Sequence, residues 1–244
     1  MNESPGQKSL RQMAWVALLG TLLSMLTGCV YLRLLEVKKQ LQNFDEYFAI
    51  SGRSELVIEF KKPVIRVKDT RFLIGADPAL ESGEEEHRTH YDFDLVRIST
   101  QDHQPPLGRL TLDMAFDKGK LTKIIVPETF MMLFPRNVIV DTLKQAKDAD
   151  VFELKKLARA QIHLKPEVEA ELPSRTKTEM LLGVPLELRD EDTFQTLVYR
   201  YTITTARHPV PIEARLSFGS DGLLRKVFVQ WDQSAIEAHF NRSQ

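Results

Sequence analysis

The chain has 244 residues, with 33 Lys and Arg against 34 Asp and Glu and a formal charge of −1. That balance lacks the clustered basic footprint that nucleic-acid binding demands. With 43% hydrophobic residues and a single cysteine, the chain can bury one sizeable core or two small ones, and no disulfide can form within it.

Residues 1–12 are polar and carry Lys8 and Arg11, residues 13–27 hold no charge, and small Gly28 precedes Cys29. A basic segment, an apolar segment and a small-residue processing site in that order read as an export signal over residues 1–28. Counted through Leu32, the apolar run also reaches the roughly 20 residues that span a bilayer as a helix, so a retained membrane anchor is the alternative. The four residues Leu26-Thr27-Gly28-Cys29 resemble the lipobox of bacterial lipoproteins. The resemblance implies a diacylglyceryl group on the Cys29 thiol, removal of residues 1–28 and acylation of the new amino terminus, palmitate being the usual label. Val30, where an Asp would retain such a protein in the inner membrane, implies the outer membrane, facing the periplasm. Without residues 1–28 the chain keeps 31 basic and 33 acidic residues, a charge of −2.

Beyond the anchor, residues 29–50 comprise the attachment point and an amphipathic helix. Leu34, Val37, Leu41, Phe44 and Phe48 recur at spacings of 3 or 4 across residues 32–48, which predicts a core-facing stripe. Residues 51–127 read as a first α+β module, 128–162 as a helical connector and 163–244 as a second module. In the connector, Pro127 suits a helix start, Pro135 interrupts, and Val138 to Ala160 is helix-compatible. Phe130, Met131, Leu133 and Phe134 either close the first module's core or form a patch for a partner.

The two modules rest on an internal repeat. Residues 67–75 (VKDTRFLIG) align with 175–183 (RTKTEMLLG) at an offset of 108, which also places Tyr91-Asp92-Phe93 on Tyr199-Arg200-Tyr201. Leu121 to Val126 matches Leu224 to Val229 at an offset of 103. Gly75 and Gly183 close apolar runs where a helix end accepts positive φ. Residues 197–203 (LVYRYTI) have strand character, and Asp117 to Lys120 and Ser220 to Gly222 read as hairpin turns. The predicted fold is α+β: two tandem repeats, each a short helix packed on a three-stranded antiparallel sheet, joined by the helical connector.

The second copy, with Leu182-Gly183-Val184-Pro185, Tyr199-Arg200-Tyr201, Leu216-Ser217-Phe218 and the turn at Gly222, resembles the SmpA/OmlA (BamE-like) domain of small outer-membrane lipoproteins. That resemblance implies a helix-on-sheet module with a role in outer-membrane assembly or maintenance. Tandem copies are also similar to the β-lactamase-inhibitor-like architecture, in which paired modules present one binding sheet.

Catalytic patterns are absent from the sequence. Glu84-Glu85-Glu86-His87-Arg88-Thr89-His90 is the best metal candidate, but it has no HExxH frame and reads as a charged loop leading into a strand. Asp190-Glu191-Asp192 is an acidic trio, and His208-Pro209-Val210-Pro211 a rigid loop. No GxSxG, P-loop or GxGxxG occurs. The expectation is therefore a non-enzymatic lipoprotein with Cys29 as its lipidation site, no catalytic, cofactor-binding or metal residues, no cofactor, and no nucleic-acid partner. Its partners would be the membrane and an envelope protein. The alternative is a carrier for a small apolar ligand or lipid, which needs an enclosed apolar cavity.

Overall fold

The computed structural model describes residues 30, 32–75, 80–82, 88–98, 105–152, 156–191, 193–203, 209–232 and 234–242. The body begins with a helix over 32–41 (α1), one further helical turn at Phe44–Tyr47 (α2) and strand β1 at Phe48–Ser51. The single helix expected over 32–48 is thus shorter, because Phe48 keeps the apolar period yet pairs as a strand residue with Phe60 of β2 (Leu56–Phe60). Its apolar stripe does face inward. Leu34 and Val37 pack on the main core, while Leu41, Phe44 and Phe48 join a second cluster around Leu56 and Ile58.

Helix α3 (Val67–Ile74) is followed by β3 (Leu80–Ser82), β4 (Arg88–Arg97), β5 (Arg109–Asp117) and β6 (Lys120–Val126). After α4 (Glu128–Leu133) and α5 (Arg136–Gln145) come β7 (Asp150–Phe152), β8 (Leu157–Leu164) and the single turn α6 (Pro166–Glu169). The chain ends with α7 (Arg175–Leu182), β9 (Glu187–Glu191), β10 (Phe194–Ile203), β11 (Val210–Phe218), β12 (Leu224–Trp231) and β13 (Ser234–Arg242).

These strands form one sheet, not two. The order of the 13 strands is β1-β2-β6-β5-β4-β10-β11-β12-β13-β8-β7, with β3 added on β4 and β9 on β10. This overturns the expected fold class of two separate three-stranded modules. Strands β4 and β10 pair antiparallel through Arg97 to Leu95 and Tyr201 to Ile203, which joins the two halves edge to edge. The expected helical connector is corrected as well, since it supplies β7 and β8, and β8 runs parallel to β13. What recurs is an order of elements, α3-β3-β4-β5-β6 and α7-β9-β10-β11-β12, inside one continuous sheet, with the helices 108 residues apart and the last strands closer. At the seam, Leu95 pairs with Ile203, its own counterpart 108 residues on, so an approximate two-fold axis passes between β4 and β10.

Helices cover one face. Leu181 and Leu182 of α7, Leu133 of α4, Val138 of α5 and Val168 of α6 pack with Leu197, Tyr199, Leu216, Phe218 and Ile162 in the main core. Leu133 is buried, Phe134 joins the main core and Met131 the second cluster, so the apolar run of α4 closes the interior. Helix α5 reveals the curvature. Its first residue, Arg136, donates to the carbonyls of Gly52 (2.8 Å) and Ser51 (3.2 Å) beside β1, and its last, Gln145, exchanges hydrogen bonds with the His163 backbone in β8. Strands β1 and β8 are nine places apart in the order. At about 4.8 Å per strand, that is roughly 43 Å on a flat sheet, whereas ten helical residues span about 15 Å. The sheet therefore bends around its helical layer, and its other face points outward.

Candidate functional site

On the outward face of β8 and β10–β13, strand alternation aligns two rows of side chains. One row runs Arg215, Phe228, Glu237, Arg159 across β11, β12, β13 and β8. The next runs Arg189, Thr196, Ser217, Lys226, His239, Gln161 from β9 to β8. The inward partners of the same strands are Leu197, Leu216, Val227 and Ala238, so period 2 separates core from site. With the β11–β12 turn at Gly219 to Asp221 as its rim, the face forms a cleft of about 690 Å³.

Glu237 organises the floor. Although only 5% exposed, its carboxylate accepts hydrogen bonds from Arg159 Nε (2.9 Å) and Lys226 Nζ (2.7 Å) and contacts His239 Nε2 (2.8 Å). Burial alone would raise its pKa, but the bonds from Lys226, His239 and Arg159 outweigh that and hold it down at about 2. Three cationic or ionisable donors thus converge on one fixed negative charge. Beside them the Arg215 guanidinium lies 4.9 Å from the Phe228 ring centroid and is also held by Glu213, at 2.6 Å. Burial tends to raise the Glu213 pKa, and the bonds from Arg215 and Arg200 bring it below the usual carboxylate range.

The hydroxyls of Thr196 and Ser217 are buried and bonded to each other at 2.8 Å. At the rim Arg225 joins Glu169 of α6 (2.6 Å) to Asp221 of the turn. The cleft lining contains Arg159, Arg189, Arg215, Arg225 and Lys226 against Asp221 and Glu237, with Glu213 and Glu169 just behind. This arrangement positions donors and fixed charges. The two hydroxyls bond to each other and His239 bonds to Glu237, and no hydrogen bond joins His239 to either hydroxyl.

Cys29, the lipidation site expected from sequence, lies outside the described residues, as do His87, His208 and Asp192. His90 falls in β4 and Asp190 in β9, on different strands. Among the described residues no three His, Cys, Asp or Glu side chains gather as a metal site, and no helix is long and apolar enough to cross a membrane. Sequence reasoning missed the cleft because it assigned no strand to residues 157–164 or 234–242. A period-2 signal is present in both: Ala158, Ala160 and Ile162 alternate with Arg159 and Gln161, and Ile236, Ala238 and Phe240 with Glu237 and His239. Compared with family models, curated proteins and solved structures, the chain matches none.

Proposed function

We propose that this protein is a lipid-anchored, non-catalytic binding protein of the bacterial envelope, attached through Cys29, whose outward sheet face receives a polar or acidic segment of a protein partner. The observation that carries this reading is the cleft floor, where the cations around Glu237 and Arg215 are locked in place before any partner arrives, which lowers the ordering cost of binding. Arg is favoured at such sites because it stacks and bonds at once, as Arg215 does on Phe228 and Glu213. The lipobox-like residues Leu26 to Cys29 support the anchor. The donors and charges of the cleft weigh against a carrier for an apolar ligand, which would need an apolar lining.

A photo-crosslinking side chain at Thr193, on the cleft wall, should give an envelope-protein adduct in native membranes. The same side chain at Glu59, on the outward face of β2, should not. Arg215→Glu should diminish the Thr193 adduct. Equal adducts at both positions, insensitive to Arg215→Glu, would remove the cleft as the docking surface. Wild-type protein should also carry palmitate label and lack residues 1–28, and Cys29→Ser should abolish both.

A further inference from the structure

Val30, next to residue 29, is helical and only 8% exposed, and the first fastening to the body follows close behind it. Three residues on, Arg33 of α1 grips Asp69 of α3 with two bonds, one of them Nε to Oδ2 at 2.5 Å, and the Asp69 side chain is fully buried. Asp69 also accepts the Arg66 backbone N–H at 2.8 Å, so the α1 start and the α3 start are one rigid unit. A flexible linker would let the body wander by about 5–6 Å times the square root of its length, and Arg33 stands only four residues after residue 29, which limits that wander to about 10–12 Å. Whatever holds residue 29 at a bilayer holds this pole of the molecule against the headgroups.

The chemistry of the pole suits such a surface. The β5–β6 turn is fastened to the α3 start by Val67 N–H to Gly119 O (3.2 Å) and by the bridge between Arg66 and Lys120. This brings together Arg66, Lys68, Lys118 and Lys120, all exposed and none in an ion pair with a described residue. Arg159, Arg215, Arg225 and Lys226, by contrast, are all paired with carboxylates. Asp117 is the one exposed acid in the turn, and Asp69 is occupied by Arg33. Apolar groups accompany the cations: Leu32 and Leu35 are 67% and 49% exposed on α1, and Phe72, one helical turn beyond Lys68, is 50% exposed on α3.

We propose that the α1 start, the α3 start and the β5–β6 turn form a seat that docks on the anionic phospholipid surface of the bilayer, with Lys68, Lys118, Lys120 and Arg66 on headgroup phosphates and Phe72 and Leu32 at the acyl boundary. The proposal rests on the reading that residue 29 sits at a membrane. It adds to that reading a fixed orientation, in which the body lies on the surface instead of hanging from a tether. Each cation near an anionic surface changes partitioning by on the order of fivefold.

The test uses the full processed protein reconstituted into vesicles of phosphatidylethanolamine, with or without phosphatidylglycerol. Because Cys29 is the only natural cysteine and is taken by lipid, Phe72→Cys and Gln42→Cys each offer one site for an environment-sensitive fluorophore. Gln42 is exposed and follows the far end of α1, about 15 Å along the helix from Leu32. Brominated lipid should quench the label at position 72 strongly and more so with phosphatidylglycerol, while sparing position 42. The triple change Lys68→Glu, Lys118→Glu, Lys120→Glu should cut quenching at position 72 several-fold with an unchanged circular-dichroism spectrum. Equal quenching at the two positions, or quenching at 72 insensitive to both lipid charge and the triple change, overturns the seat. If the true occupant is an acidic protein, protein-free vesicles leave position 72 unquenched, which overturns the lipid seat as well. The intact mass decides the anchor separately: full-length chain with a free Cys29 thiol ends the lipoprotein reading, and the same labels placed in a Cys29→Ser background then report the seat, because residues 13–32 would hold the same pole at the bilayer.

Discussion

Glu237 sits at 5% exposure with Arg159, Lys226 and His239 on its carboxylate, and that charge matters to stability as well as to the cleft. Because its folded pKa is depressed to about 2, its contribution is fully present above the ordinary glutamate value near pH 4.3 and is lost as the pH falls from there toward 2. Glu237→Gln should therefore cost about 2 kcal/mol at neutral pH, the range for hydrogen bonds to charged groups. Urea titrations at stepped pH should show the gap between variant and wild type closing across that acid window. A gap that stays constant down to pH 2 would mean that the ionised carboxylate is not what stabilises the floor. The residue itself could not be singled out from sequence, since it is one acid among 34 and its neighbours arrive from strands 11 and 78 positions away.

Among elements, the ends of α3 and α7 were legible and the outer strands were not. Gly75 and Gly183 stop their helices at φ of 72° and 73°, as the apolar runs ahead of them predicted. Their ψ values differ: 12° at Gly75 is the left-handed helical region that Asn also visits, whereas −166° at Gly183 is a region kept almost wholly for glycine. A Cβ at Gly183 would also lie 2.6 Å from Arg97 Nη1, while at Gly75 its nearest neighbour would be 3.6 Å away. Gly75→Asn should thus be close to neutral, and Gly183→Asn should cost about 2–3 kcal/mol from backbone strain plus the displaced guanidinium. Thermal melts of the two variants check the contrast. The β10 to β12 strands were also readable, because aromatic and β-branched runs flank strong turn residues. Strand β8 was hidden because Leu-Ala-Arg-Ala-Gln is composed of good helix formers, and its pairing with β13 on one side and β7 on the other overrides that preference. The union of β4 with β10 was hidden for another reason: alternation says which face is buried, and nothing about which edge will find which.

For the molecule as a whole, the seam between halves carries reciprocal fastenings. Arg97 of β4 donates to the carbonyls of Leu182 and Val184 at the end of α7, while Trp231 of β12 donates to Leu73 O at the end of α3, at 2.7 Å. Tyr201 adds a bond to Leu107 O at 3.0 Å, and burial pushes its phenol pKa up to about 12 and keeps it a donor. Each half thus caps a helix of the other, with a cation at the negative end of α7. Arg97→Leu should cost about 2–3 kcal/mol by leaving those carbonyls without their charged donor. Trp231 is the sole tryptophan beyond residue 28 and reports on the seam directly. Its fluorescence and the far-ultraviolet circular dichroism should fall in one coincident transition, in wild type and variant alike. Two separated transitions would show that the halves unfold independently. The pairing of Leu95 with Ile203, its counterpart at 108 residues, gives this seam a further meaning. A joint in which equivalent positions face each other is self-complementary, the geometry by which two identical chains associate. Cut into halves, the protein would expose on β4 and on β10 edges suited to a second copy of themselves, so the covalent chain holds as one body what two subunits of half its size would build as a pair.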